Sequence, residues 1–201
     1  MAKSGIRKTI AHYLTEPPVR LLAKTHITPS MLTWFGFCIA IITAVVIGLG
    51  NVIAGGILVL VSGYFDILDG ALARRTNRAT KFGAVLDSTL DRLSEAVVLL
   101  GITALFLTSR PQLISNEWAV LLVSVTLIGS LLVSYIRART EALGIDCQVG
   151  IFTRAERVIV LALGLLVNQI VIALGIIAIL SFVTVGQRLF HAYRKTVVPR
   201  N

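Results

Sequence analysis

Residues 64–92 read YFDILDGALARRTNRATKFGAVLDSTLDR, and the reading of this stretch governs the rest of the chain. It carries Asp66, Asp69, Asp87 and Asp91, four of the ten acidic residues in the sequence, where two long apolar segments meet. Asp66 and Asp69 are three apart and Asp87 and Asp91 four apart, so on helices each pair shares one face. Ionised carboxylates at the edge of a hydrocarbon layer cost several kcal/mol each unless something compensates them. Two like charges at ~4 Å repel by about 4 kcal/mol even at an effective dielectric near 20. Two facing pairs therefore ask for cations, and all-oxygen ligation favours hard ions such as Mg²⁺ or Mn²⁺. Two such ions a few ångströms apart polarise a phosphate and stabilise a leaving phosphate oxygen.

Outward from this stretch the chain is apolar. Of 201 residues, 56% are hydrophobic and only 14% charged, with a mean hydropathy of +0.86. A soluble domain carries about 25% charged residues, and a membrane-crossing helix needs about 20 apolar ones. Runs over 31–50, 51–65, 84–108 and 118–136 approach or meet that length, and 158–186 is a double run split by Asn168 and Gln169. The expectation is an all-α integral membrane protein with six transmembrane helices in one domain over 28–190. Thr28, Pro29 and Ser30 open its first span with a capping hydroxyl and an early proline. A cytoplasmic segment, 1–27, precedes it. There Ile6, Ile10, Tyr13 and Leu14 share a face of a short juxtamembrane amphipathic helix, which Pro17 and Pro18 should break. A basic tail over 191–201 follows.

The basic residues set the expected orientation. Six crossings with a cytoplasmic N-terminus put every lysine and arginine of the nineteen inside except Arg110, as the positive-inside bias requires. The termini and the aspartates then share the cytoplasmic face of the cell membrane. The formal charge of +9 belongs to that face, where it attracts anionic lipid rather than nucleic acid. The first 30 residues are too polar for a cleavable signal peptide. Cys38 and Cys147 are too far apart in the expected topology to pair, no Cys/His spacing indicates zinc, and His12, His26 and His191 receive no role.

A second constellation is basic. Arg137 and Arg139 end the fourth helix, Arg154 and Arg157 open the fifth, and Gln187 and Arg188 close the sixth. Arginines converging from three helix ends make an anion pocket, and a helix N-terminus adds to it. Ordinary positive-inside anchoring, with pairing to Glu141 and Glu156, accounts for any one of them alone.

Asp66, Asp69, Gly70, Ala73, Arg74, Gly83, Asp87 and Asp91 fit D-x2-D-G-x2-A-R-x8-G-x3-D-x3-D at every position. That pattern resembles the signature of the CDP-alcohol phosphotransferases. The resemblance implies a six-helix, Mg²⁺- or Mn²⁺-dependent membrane enzyme, usually a homodimer, that moves a phosphatidyl group from CDP-diacylglycerol to an alcohol and releases CMP. It implies Asp66, Asp69, Asp87 and Asp91 as metal ligands around two ions, with Asp91 also the general base. Ser30, Thr33, Gly70, Ala73, Arg74, Thr80 and Gly83 would border the CDP-lipid.

The stretches SYIRARTEALG and GIFTRAERVIV and the late QRL are similar to those of phosphatidylinositol-phosphate synthases. In that subfamily the acceptor is 1D-myo-inositol 3-phosphate. Its phosphate would then fall to Arg137, Arg157 and Arg188, with Arg139 and Arg154 beside them. The resemblance leads us to expect lysine at position 137, and arginine changes reach and hydrogen-bond geometry there.

Glycerol 3-phosphate as acceptor, and a CDP-archaeol lipid as donor, remain alternatives. From other classes, a divalent-cation transporter would place polar residues in the middle of several helices, whereas here they gather at one rim. An inactive scaffold would have lost an aspartate, and none is missing.

Overall fold

The computed structural model describes residues 16–108 and 114–196. The expected surface helix over 4–15 and the end of the basic tail lie outside them. Six long elements follow one another: α1 (Pro29–Gly48), α2 (Val52–Arg75), α3 (Lys81–Thr108), α4 (Asn116–Ala142), α5 (Arg154–Leu166) and α6 (Ile170–Thr196). Among the described residues there is no strand.

Local chemistry sets the boundaries. The Thr28 hydroxyl accepts from the Met31 N–H at 3.3 Å, with Pro29 in the first turn of α1, as the sequence led us to expect. Thr80 does the same for α3, its hydroxyl accepting from the Gly83 N–H at 2.9 Å. At α5 the Glu156 carboxylate accepts from the Thr153 N–H at 2.9 Å in a capping box,. Asn168, at φ 55°, makes the turn between α5 and α6, so the polar pair splits the last apolar run as expected.

Both ends of the described chain are helical. Residues 16–22 are helical, with Pro17 and Pro18 in the first described turn, where proline lacks only an N–H that an early turn leaves unused; whether they end a helix over 4–15 lies outside the described residues. Val19, 3% exposed, packs this stretch against Leu32, Leu68 and Leu72. The Glu16 carboxylate accepts from Arg20 at 3.0 Å and Arg75 at 2.9 Å. The sixth helix, in turn, does not close at Arg188 but runs on to Thr196.

Packing forms a closed ring. Helix α1 lies between α2 and α3, α2 meets α5, α5 meets α6, α6 meets α4, and α4 returns to α3. The core inside is built from Ile47, Leu99, Ile102, Leu165 and Leu174, each 2% exposed or less. Large apolar side chains such as Ile57, Leu100, Trp118, Ile128 and Ile179 face outward, the reverse of a soluble protein and the arrangement a lipid solvent allows. Gly101 is where α1 and α3 come closest. A Cβ there would sit 2.4 Å from the Ala44 carbonyl oxygen.

Helices α1, α2, α4 and α6 are long and apolar enough to cross a membrane, which makes the protein membrane-embedded. The expected count of six is reduced to four by this measure, for two physical reasons. Helix α3 carries Asp87, Asp91, Arg92 and Glu95 in its first half. Helix α5 has 13 residues, about 20 Å at roughly 1.5 Å per residue, short of the ~30 Å hydrocarbon core.

Candidate active site

The C-terminal turns of α2 carry Asp66 and Asp69, and the N-terminal turns of α3 carry Asp87 and Asp91. Each of the four is held differently. Asp69, 3% exposed, accepts from the Thr33 hydroxyl of α1 at 2.7 Å. Asp66 lies against Gly36, where a Cβ would come within 3.1 Å of its Oδ1. Its Oδ2 accepts from Arg154 Nη2 at 2.6 Å. Arg154 Nη1 lies 2.8 Å from Asp91 Oδ1, an ionic contact whose alignment leaves that buried oxygen without a true hydrogen bond. Asp87 is half-buried and close enough to Asp66 to feel the charge of that carboxylate.

The sequence led us to expect four carboxylates gathered on cations. As the chain stands, one guanidinium lies between Asp66 and Asp91. Among the described residues, no three acidic, histidine or cysteine side chains converge closely enough to hold one ion. The donor chemistry nevertheless fits a divalent cation. These are oxygen donors with excess negative charge, and the group neutralising two of them is itself a positive charge.

The arginines meet in one open pocket of about 620 Å³, its mouth included, lined by Asp91, Ser134, Thr153 and the side chains of Arg137, Arg154, Arg157 and Arg188. Four of the five basic residues singled out from the sequence thus converge at the edge of the aspartates. Arg139 is exposed and does not line it. The four differ in freedom. Arg188, 3% exposed, donates from Nε to the Val149 carbonyl at 2.9 Å and from Nη1 to the Val133 carbonyl, pinning segment 143–153 to α4. Gly150 makes that possible: its φ is +129°, and a Cβ there would lie 2.6 Å from Thr184 and 3.3 Å from Arg188 Nε,. Arg137, expected on the acceptor phosphate, is exposed and pairs with Glu141 at 2.8 Å. Four residues apart on one helix, these two side chains reach each other across a single turn.

Sequence reasoning missed Glu95. It receives both Nε and Nη2 of Arg157, at 2.7 and 2.8 Å. The signal was present: Asp87, Asp91 and Glu95 are spaced four apart and form one acidic stripe on α3,. A narrow cavity within the ring is lined from all six helices, among them by Ala40, Asp66, Glu95, Thr126, Arg157 and Ile177.

Of the residues expected around the CDP-lipid, Thr33 is committed to Asp69, and Thr80 to capping α3 beside Gly83. Arg74 folds back over Gly70, where a Cβ would sit 3.3 Å from its Nη1. Ala73 lies on the same turn as Gly70, and Ser30 in the first turn of α1.

Comparison with known proteins agrees with this arrangement. Residues 26–186 match the family model described as CDP-alcohol phosphatidyltransferase. The archaetidylinositol phosphate synthase of Pyrococcus horikoshii is 41% identical over 177 residues, covering 88% of this chain and 89% of that one. The phosphatidylinositol phosphate synthase of Mycobacteroides abscessus is 33% identical over 198 residues, 94% of this chain and 86% of that one. The crystal structure of Mycobacterium tuberculosis phosphatidylinositol phosphate synthase with CDP-DAG bound superposes with a TM-score of 0.82 at 30% identity, covering 94% of this chain and 98% of that one. The same enzyme in complex with manganese and citrate gives a TM-score of 0.81 at 30% identity, covering 93% of each chain.

Proposed function

The chain belongs to the CDP-alcohol phosphatidyltransferase family, and from that premise we propose that it transfers a phosphatidyl group from CDP-diacylglycerol to an inositol phosphate, giving phosphatidylinositol phosphate and CMP. One observation carries this reading beyond the family: a pocket lined by five arginines, Arg92 among them, opens beside Asp91. An acceptor that already bears a phosphate is what such a pocket selects. The phosphorylated cyclitol is held there with one of its free hydroxyls towards Asp91.

In the transfer, the acceptor hydroxyl oxygen forms a bond to the phosphorus that carries the lipid. The bond from that phosphorus to the oxygen shared with CMP breaks, and CMP leaves with the electron pair. Asp91 takes the hydroxyl proton as general base; its partly buried carboxylate lines the pocket edge. Asp66, Asp69, Asp87 and Asp91 would hold two divalent ions, Mg²⁺ or Mn²⁺, which supply charge neutralisation at the pyrophosphate and at the departing oxygen. The manganese complex of the tuberculosis enzyme supports the use of a divalent metal. Thr33 holds Asp69 in place, and Arg154 gives up Asp66 and Asp91 when those carboxylates are taken by metal. Gly70, Ala73, Arg74, Thr80 and Gly83, with Ser30, border the nucleotide, where a bare backbone lets it approach closely.

We place both termini and the site on the cytoplasmic side of the cell membrane, with six crossings and a homodimeric assembly. Helix α5 then crosses only the outer part of the bilayer. Segment 143–153 brings the chain inward as irregular backbone, with Cys147 and Phe152 buried against the bundle. Such backbone is tolerated at membrane depth where protein covers it.

A second reading concerns the lipid alone. The 41% identity to an archaetidylinositol phosphate synthase supports a CDP-archaeol donor with the same acceptor. The test is to incubate purified protein with Mg²⁺ and labelled CDP-diacylglycerol or CDP-archaeol, adding inositol 3-phosphate, glycerol 3-phosphate or free inositol in turn, and to follow CMP. Release with inositol 3-phosphate above the other acceptors supports the proposal. Release only with glycerol 3-phosphate reassigns the acceptor. No release, with Mn²⁺ crossing liposomes instead, reinstates a transporter.

A further inference from the structure

The acidic stripe on α3 does not serve one purpose along its length. Asp87 and Asp91 lie with the α2 aspartates, whereas Glu95, one turn deeper, is engaged by the guanidinium of Arg157 through two parallel bonds of 2.7 and 2.8 Å. Arg157 is 2% exposed, so an unpaired charge there would be strongly disfavoured. Glu95 occupies only one edge of the fork. The remaining nitrogen, Nη1, is buried with no hydrogen-bond partner, and Arg157 lines the pocket that also receives Arg137, Arg154 and Arg188. A buried donor left unmatched on a residue that lines a pocket is what an incoming acceptor oxygen would complete,.

We infer that Glu95 is a positioning residue for the acceptor site. It fixes the plane of the Arg157 guanidinium so that Nη1 is presented to the acceptor phosphate. The inference rests on the proposed reading that this pocket takes a phosphorylated alcohol. Glu95 touches neither substrate and acts only through Arg157. Its carboxylate is already matched by the fork, which separates its role from that of Asp91 one turn away. A lone arginine on a mobile side chain would lose conformational entropy each time it bound a phosphate. A bidentate partner removes that freedom beforehand, and planar recognition depends on such orientation.

Steady-state kinetics of Glu95→Gln and Glu95→Asp in the full-length enzyme test this, with CMP release as the signal. Binding of inorganic phosphate to wild type and both variants by calorimetry is the second measurement. Glu95→Gln should raise the acceptor KM at least tenfold and weaken phosphate binding comparably, with the CDP-lipid KM within twofold of wild type. Glu95→Asp keeps the charge and should recover part of the loss. In an Arg157→Lys background, which has no fork to orient, Glu95→Gln should add less than twofold. If Glu95→Gln shifts both KM values alike, or if its effect adds in full to that of Arg157→Lys, Glu95 merely supports the fold and the inference is overturned. If wild type turns over a phosphorylated acceptor while Glu95→Gln leaves its KM unchanged, the inference fails and the functional reading stands. If wild type neither binds phosphate nor releases CMP with any phosphorylated alcohol, both fail together.

Discussion

The aspartate half of the site, on α2 and α3, and the arginine half, on the ends of α4, α5 and α6, are each held by a residue from the other side. Arg154 spans Asp66 and Asp91, and Glu95 grips Arg157. The two cross-links differ in permanence. The first is lopsided: one good hydrogen bond to Asp66 and one poorly aligned contact to Asp91, on a side chain that still reaches the pocket mouth. The second is bidentate and almost wholly buried. One reads as an exchangeable counter-ion and the other as a fixed strut. A site that must accept metal and release CMP needs the first kind where charge changes and the second where geometry must not.

That contrast can be broken or sharpened by substitution. The largest effect belongs to Asp91→Asn, which keeps shape but removes the base. Its kcat should fall about 10²–10⁴-fold in a CMP-release assay while the protein still binds CDP-lipid; wild-type turnover would remove the general-base assignment. Next comes Arg157→Ala. Stranding the Glu95 charge inside the ring should destabilise the protein by about 3–5 kcal/mol in thermal unfolding in detergent, and a loss near zero would show that the strut is no strut. Thr33→Val removes the hydrogen bond to Asp69 and should cost about 1.5–3 kcal/mol in the same measurement, with a raised KM for CDP-lipid and an unchanged one for acceptor.

Arg154→Ala tests the exchangeable partner. With the guanidinium gone, Mn²⁺ measured by electron paramagnetic resonance should bind about tenfold more tightly, roughly 1.4 kcal/mol. Weaker binding would mean that Arg154 supports the metal site instead of competing for it. The smallest effect is expected at Arg137→Lys. That side chain is exposed and shares an i,i+4 pair with Glu141, so stability should change by less than about 0.5 kcal/mol. Any effect on acceptor KM should stay near twofold.

How far each half was legible follows from the same difference. The aspartates are fixed by spacing within two adjacent helices, so local periodicity finds them, and equally local capping and break signals place Thr28, Asn168 and the start of α5. The arginines come from three helices separated in sequence. Their convergence was visible only as a shared depth, and depth did not show that Arg137 would point outward or that Arg188 would be spent on the Val133 and Val149 carbonyls. The internal counter-ions were not legible at all, because the pairing of Arg154 with Asp66 joins residues 88 positions apart through the contact of α2 with α5. Glu95 was the exception. Its place on the stripe with Asp87 and Asp91 was in plain view, but a carboxylate outside the spaced motif carried no weight until a partner was seen. Four of the six expected spans meet a length-and-hydropathy measure; α3 and α5 fall outside it because α3 is polar at the end that carries the site and α5 is short.

The order of the ring also bears on how such a protein is made. Helices α1 to α3 leave the ribosome first, carrying every acidic side chain of the site, while the two guanidinium groups that answer Asp66, Asp91 and Glu95 sit at the start of the fifth. During synthesis the nascent chain therefore holds uncompensated carboxylates in or near the bilayer until α5 slots between α2 and α6. A translation product that stops before residue 154 is left with that imbalance permanently, which marks it for membrane quality control and not for partial activity.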